Sequence, residues 1–258
     1  MAFGGEHARE VAADLAETDD QDVHARTRGT GAACAGRTGY SRSRHVRPAF
    51  LATVLRAGRT GPARFNARPL RTVLLDNRDS FVWNLAQLAM GLGASVEVLR
   101  SDRTSVGAVA ARRPDAILIS PGPGRPEDAG CSAAVVRELG PAIPTLGVCL
   151  GHQAIGLVFG GRIERCAPCH GKTRGLEHGG AGLFHGLPAR FPVCRYHSLC
   201  VARDSVGDEL VVDAWTDDGL VMALRHVRHR IYGVQFHPES FRTPLGPALV
   251  ARFLELAA

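Results

Sequence analysis

The chain is predicted to fold as an α/β domain: an open, mostly parallel twisted sheet with helices on both faces, plus a small antiparallel extension. Three features predict it. From residue 71 onward, short apolar runs alternate with helically spaced segments. The sharpest Gly/Pro loops follow directly on apolar runs, and the last third is richer in strand-like segments than in helical ones.

The elements follow in order. Thr72-Val-Leu-Leu75 is an apolar run ending at Asp76, and Phe81 to Met90 has helical spacing, stopped by Gly91 and Gly93. Ser95 to Leu99 reads as a second strand and Ala116 to Ser120 as a third, cut off by Pro121-Gly-Pro-Gly124. Ala133 to Leu139 is a helix. Thr145 to Val148, introduced by Pro144, is a fourth strand that runs into Cys149 and a helix to about Phe159, closed by Gly160-Gly161. Beyond Leu176 the candidates are Val211 to Trp215, Val221 to Leu224 and Ile231 to Phe236, expected to extend the sheet or to form a smaller antiparallel one. In such a fold, ligands sit at the carboxyl ends of the parallel strands.

Composition narrows the function classes. With 258 residues, 45% of them hydrophobic, the chain can bury a substantial core. It has no apolar run near the roughly 20 residues that span a bilayer and no basic-then-apolar leader, so a cytoplasmic location without membrane contact is expected. Seven cysteines without an export signal read as thiols rather than a disulfide framework. The net charge of +6 sits mostly in residues 1–70, which carry +4 of it, and every acid there falls at or before Asp22. Residues 1–70 are therefore expected to be an Arg-rich extension, disordered or the remnant of an upstream domain, with translation beginning near Arg71 as an alternative. An RNA- or membrane-gripping arm is the sharper reading of such a segment, but aromatics and hydrophobic periodicity are sparse. No nucleic-acid partner is expected.

Gly147-Val-Cys149-Leu-Gly151 has the form of a nucleophile elbow with cysteine in the serine position. The glycines permit a tight strand-to-helix turn, and a helix N-terminus favours a thiolate. Small residues around a buried cysteine are equally ordinary packing, so the motif needs partners. Tyr232-Gly-Val-Gln-Phe-His237-Pro-Glu239 supplies them: an apolar strand ends on a histidine with a carboxylate two residues later. Imidazole suits a base that becomes the leaving group's acid, and Glu239 would orient it. Pro121-Gly122-Pro123-Gly124 offers backbone N–H groups for an oxyanion.

Six blocks together, Leu75-Asp-Asn-Arg-Asp-Ser-Phe81, Ser120-Pro-Gly-Pro-Gly124, Gly147-Val-Cys-Leu-Gly-His-Gln153, His170-Gly-Lys-Thr173, Arg195-Tyr-His-Ser-Leu199 and Gly233-Val-Gln-Phe-His-Pro-Glu-Ser240, resemble the class I glutamine amidotransferases. The resemblance covers about residues 72–257 and implies the flavodoxin-like fold of that family. It is nearest to the glutaminase components of anthranilate synthase and 4-amino-4-deoxychorismate synthase. The resemblance implies Cys149 as nucleophile, His237 as acid/base and Glu239 as its orienter, with an oxyanion hole from the Gly122 and Leu150 backbone. L-glutamine would be held by Gly122, Pro123, Gly124, Gln153, Ser198 and Leu199. The implied partner is a chorismate-binding synthase subunit, which would carry the magnesium; this chain is expected to need no cofactor and no metal. Arg78, Trp83 and Arg174 depart from the family pattern, none at a triad position.

Two features compete for attention. Cys166-Ala-Pro-Cys169-His170 matches a haem-attachment pattern and contains a Cys-x-x-Cys, but there is no second pair to complete a zinc site. Lys172 is the only lysine, and a Lys172→Arg variant with unchanged ammonia transfer would deny it a specific role. A regulatory module of the same fold, or a stand-alone γ-glutamyl hydrolase, are the alternatives in function.

Overall fold

The computed structural model describes residues 68–258. The expectations for the extension therefore fall almost wholly outside the described residues. Its Arg68 is an exception: its guanidinium bonds Asp115 at 2.5 Å, and that of Arg71, the first residue of the domain, bonds the same carboxylate at 3.5 Å, tying the start of the first strand to the start of the third.

Nine strands form one sheet in the order β2-β1-β3-β4-β9-β8-β7-β5-β6. The strands are β1 (Arg71–Asp76), β2 (Ser95–Arg100), β3 (Ala116–Ile119), β4 (Thr145–Val148), β5 (Ile163–His178), β6 (Arg190–Val201), β7 (Leu210–Trp215), β8 (Val221–His226) and β9 (Ile231–Val234). The pairings from β2 across to β9 are parallel, and those from β9 to β6 are antiparallel. Of the two expected outcomes for the second half, the strands extend the main sheet. The extension is larger than expected, because β5 and β6, of 16 and 12 residues, form a long hairpin at its edge.

Each parallel strand presents alternate residues to two cores, as its two-residue period requires. Leu74, Leu118 and Leu146 pack on one side with α1 (Val82–Gly91) and α5 (Gly246–Ala257). Val73, Leu75, Ile117 and Ile119 pack on the other with α2 (Val106–Ala111), α3 (Ser132–Glu138) and α4 (Leu150–Val158). Helix α1 buries Val82, Leu85, Ala86 and Ala89, the spacing that marks one helical face. Helix α5 repeats this with Leu249, Val250, Phe253, Leu254 and Ala257. Among the described residues no helix is long and apolar enough to cross a membrane.

The loops after β1, β3, β4 and β9 converge at the carboxyl edge of the parallel strands. Asn77 stitches two of them together. Its backbone N–H donates to Ser120 Oγ and its side-chain amide to the Ser120 carbonyl, both at 2.9 Å, while Ser132 Oγ donates to Asn77 Oδ1 at 2.8 Å.

Candidate active site

Cys149 stands between β4 and α4 with φ 52° and ψ −99°, a conformation that residues with a Cβ rarely adopt. Its neighbours hold it there. The Cys149 N–H donates to the Val234 carbonyl of β9 at 2.8 Å, and its carbonyl accepts from Gln153 N–H at 3.0 Å, starting the helix. Glycine is required on both sides. A Cβ on Gly147 would lie 2.4 Å from the Gly151 carbonyl, and one on Gly151 would lie 2.5 Å from the Ile119 carbonyl oxygen. The turn thus presses β4, α4 and β3 together and puts the thiol at the positive end of α4.

His237 follows β9, its N–H donating to the Cys194 carbonyl of β6 at 3.1 Å. Its Nδ1 meets Glu239 Oε1 at 2.6 Å, and both side chains are almost fully buried. Burial opposes the imidazolium, but the adjoining Cys149 sulfur and the Glu239 carboxylate more than offset it, and the pKa of His237 is raised well above its ordinary value. Among the described residues its Nε2 has no hydrogen-bond partner other than the adjoining Cys149 sulfur that raises its pKa. The tyrosine ring of Tyr196 packs edge-on against the imidazole, with centroids 5.2 Å apart.

Of the eleven histidines, His152 is the nearest rival, three residues after Cys149 on α4. It is fully buried, and burial lowers its pKa to about 3. It stays neutral near pH 7 and acts as a packing group beneath Gly233, where a Cβ would come within 2.8 Å of its ring nitrogen.

Of the remaining expected residues, Gly122, Leu150 and Gln153 adjoin the elbow. Gly122 packs over the start of α4, so closely that a Cβ would lie 2.5 Å from the Asn77 carbonyl oxygen and 2.9 Å from Leu150 Cδ2. Leu150 opens α4, where a backbone N–H has no partner within the helix. Pro123 and Gly124 are exposed, and Gly124 has φ 80° with open space about its α-carbon. Gln153 Nε2 donates to the Leu199 carbonyl at 3.0 Å and to Gln235 Oε1 at 3.2 Å. Ser198 is exposed and Leu199 half-buried on β6.

Sequence reasoning assigned no role to two polar residues here. Gln235 is fully buried and places its amide nitrogen 3.6 Å from the Cys149 sulfur. A glutamine inside an apolar strand run was the available signal. Asp79, in the loop after β1, is half-buried beside His237 and Glu239. Desolvation pushes its carboxyl above the usual range, against the Phe81 backbone hydrogen bond and the His237 charge. Among the described residues no group of three or more His, Cys, Asp or Glu side chains is placed to share a metal ion. The Cys166-x-x-Cys169 pair lies in strand β5, with Cys169 buried opposite His197.

Residues 73–257 match the family described as glutamine amidotransferase class-I. The chain belongs to that family. Among relatives, it is 49% identical over 191 residues to the chloroplastic anthranilate synthase beta subunit 2 of Arabidopsis thaliana, covering 71% of this chain and 70% of that one. It is 47% identical to anthranilate synthase component 2 of Thermus thermophilus, covering 72% and 92%, and 46% identical to aminodeoxychorismate synthase component 2 of Escherichia coli K12, covering 70% and 98%. A solved structure from Thermotoga maritima, titled a glutamine amidotransferase, superposes with a TM-score of 0.60 at 13% identity, over 74% of this chain and 99% of that one; it establishes the fold alone. The class I amidotransferase fold expected from the sequence is the fold observed.

Proposed function

We propose that this chain is the glutaminase subunit of a chorismate-aminating synthase, hydrolysing L-glutamine to glutamate and passing the ammonia to a partner that uses it. The observation that carries the reading is a strained cysteine at a helix N-terminus facing a buried His–Glu pair. Cys149 attacks the side-chain amide carbon of glutamine, and the negative charge that builds on oxygen is met by the Gly122 and Leu150 backbone N–H groups. His237, held protonated by Glu239, gives its proton to the departing ammonia. It then takes one from the water that cleaves the γ-glutamyl thioester. Two moderate barriers replace one high one.

Gln153 commits its amide nitrogen to Leu199 and Gln235, so it would hold glutamine's α-ammonium through its oxygen. Pro123, Gly124, Ser198 and Leu199 line the approach for the α-carboxylate end. None of these steps requires a metal or cofactor in this chain, and magnesium is assigned to the synthase. We place the protein in the cytoplasm, with no nucleic-acid or membrane partner, although four plant relatives are named chloroplastic. Anthranilate synthase is the first reading and 4-amino-4-deoxychorismate synthase the second, since relatives of similar identity carry both names. Regiochemistry belongs to the partner.

The test measures glutamate release by wild type and Cys149→Ala, alone and with a chorismate-binding synthase. The wild type alone should release glutamate, faster when the synthase is added, and Cys149→Ala should release none. Equal release by the two proteins would remove the nucleophile, and indifference to the synthase would remove the partner.

A further inference from the structure

Strand β5 carries a second thiol that the glutaminase reaction does not use. Cys166 begins a bulge in the β5–β6 hairpin: the register passes from Arg165↔Leu199 to Cys169↔His197, so Cys166, Ala167 and Pro168 face Ser198 alone. The Cys166 sulfur lies 3.6 Å from His197 Nδ1, whose other ring nitrogen is 2.9 Å from the Arg195 guanidinium Nε. Cys200 lies across from Glu164, on the same strand face as Cys166 two residues on, and is buried. The register makes Cys200 the diagonal neighbour of Cys166 across the hairpin. The neighbouring Cys200 side chain, then His197 and Arg195, hold Cys166 well below the ordinary thiol range, while Cys166 and burial push Cys200 up. A half-exposed thiol beside a histidine that an arginine holds, with a second thiol on the neighbouring strand, is the arrangement of an oxidation-sensitive cysteine pair.

From that pair a continuous set of contacts runs to the nucleophile. His197 Nδ1 also lies 2.9 Å from the Leu199 carbonyl, which accepts from Gln153 Nε2 at 3.0 Å. Gln153 donates to Gln235 Oε1 at 3.2 Å, and Gln235 reaches the Cys149 sulfur at 3.6 Å. Cys166 and Cys200 therefore straddle Ser198 and Leu199, the β6 residues assigned to glutamine.

We propose that Cys166 and Cys200 form a reversible, hydroperoxide-oxidised pair whose disulfide weakens glutamine binding; the second half of this rests on the glutaminase reading above. In the first step the Cys166 thiolate attacks the peroxide. An S–O bond forms, the O–O bond breaks, and hydroxide or alkoxide leaves and is protonated by solvent, the sulfur losing the two electrons that the peroxide gains. The negative charge that suppressed Cys200 ionisation is then gone. Cys200 attacks the sulfenic sulfur, an S–S bond forms, the S–O bond breaks, and hydroxide departs as water with the Cys200 proton. Closing the bridge pulls in the bulge and shifts His197 off the Leu199 carbonyl.

The full-length chain carrying Cys149→Ala tests this without interference from the nucleophile. After hydrogen peroxide treatment, peptide mapping should show Cys166 linked to Cys200, reversed by dithiothreitol and absent in Cys149→Ala/Cys166→Ser. Calorimetry should show glutamine affinity about tenfold weaker in the oxidised form, the loss of roughly one hydrogen bond, and unchanged by peroxide when Cys166 is serine. Cys166 still open to alkylation after peroxide, or linked to Cys169 instead, overturns the pair. A bridge that leaves glutamine affinity unaltered overturns its coupling to the site. If the reduced protein binds no glutamine, the glutaminase reading fails, and the peptide map still decides the pair.

Discussion

The strain at Cys149 can be weighed by comparing two variants that lack the thiol. Its φ of 52° and ψ of −99° are the mirror image of an ordinary extended conformation, closed to side chains and open to glycine. Such positions store about 1–3 kcal/mol. Cys149→Ala keeps the Cβ and the strain; Cys149→Gly relieves it. Against the relief stand a lost buried methyl, about 0.8 kcal/mol, and the greater freedom of glycine in the unfolded chain, about 0.5–1 kcal/mol. Cys149→Gly should therefore fall between about 0.8 kcal/mol below and about 1.7 kcal/mol above Cys149→Ala. The control is Ala154→Gly on the same helix, fully buried and in regular geometry, where the same change has no strain to relieve and should cost about 1.8 kcal/mol. Urea unfolding of all four proteins measures both differences. If Cys149→Gly falls below Cys149→Ala by as much as Ala154→Gly falls below wild type, the elbow stores no strain and the reasoning fails.

Glu239→Gln removes a charge from a buried hydrogen bond to His237; kcat/KM for glutamine hydrolysis should drop about 10- to 150-fold, the equivalent of 1.5–3 kcal/mol, and an unchanged value would deny Glu239 its role. Because the folded pKa of His237 is raised, its stabilisation is complete below the unfolded value near 6.5 and is lost as pH climbs through the folded one. Urea midpoints measured from pH 6 upward should show that decline in wild type and a weaker one in Glu239→Gln. Gly122→Ala must displace the Asn77 carbonyl or Leu150, so hydrolysis should fall at least tenfold while chain folding, followed by circular dichroism, persists. Ser105 caps α2 by accepting from Ala108 N–H at 3.2 Å, and Ser105→Ala should lower stability by about 1 kcal/mol and the Tm by a few degrees with no change in glutaminase rate.

The parallel half of the fold was legible because burial there is periodic. β1, β3 and β4 are short apolar runs, and α1 carries its buried residues at one face's spacing. The hairpin of β5 and β6 was not legible. β5 has an irregular burial pattern, two register shifts and a mixture of Gly, Cys and Arg, because an edge hairpin answers to its partner strand more than to a core. α2 has six residues, too few for a helical period, and α5 has a clear one that the sequence reading left unassigned. At the site, the triad candidates were visible as residue types at strand ends, whereas Gln235 and Asn77 were hidden in the quoted blocks. Their importance lies in which loop each one ties to which, and that follows from spatial neighbours far apart in the chain.

The central position of β9 has a consequence for timing. It pairs with β4, the strand of the elbow, on one side and with β8 on the other, yet it is the last strand made. A growing chain that has emerged only through β8 carries Cys149 but neither His237 nor Glu239, and it also lacks the Val234 carbonyl that helps hold the elbow. The thiol therefore meets His237 and Glu239 only when the final strand slots into the middle of the sheet. Under the proposed triad, ammonia release is in this way coupled to completion of the domain, and an abortive fragment from the ribosome would waste no glutamine.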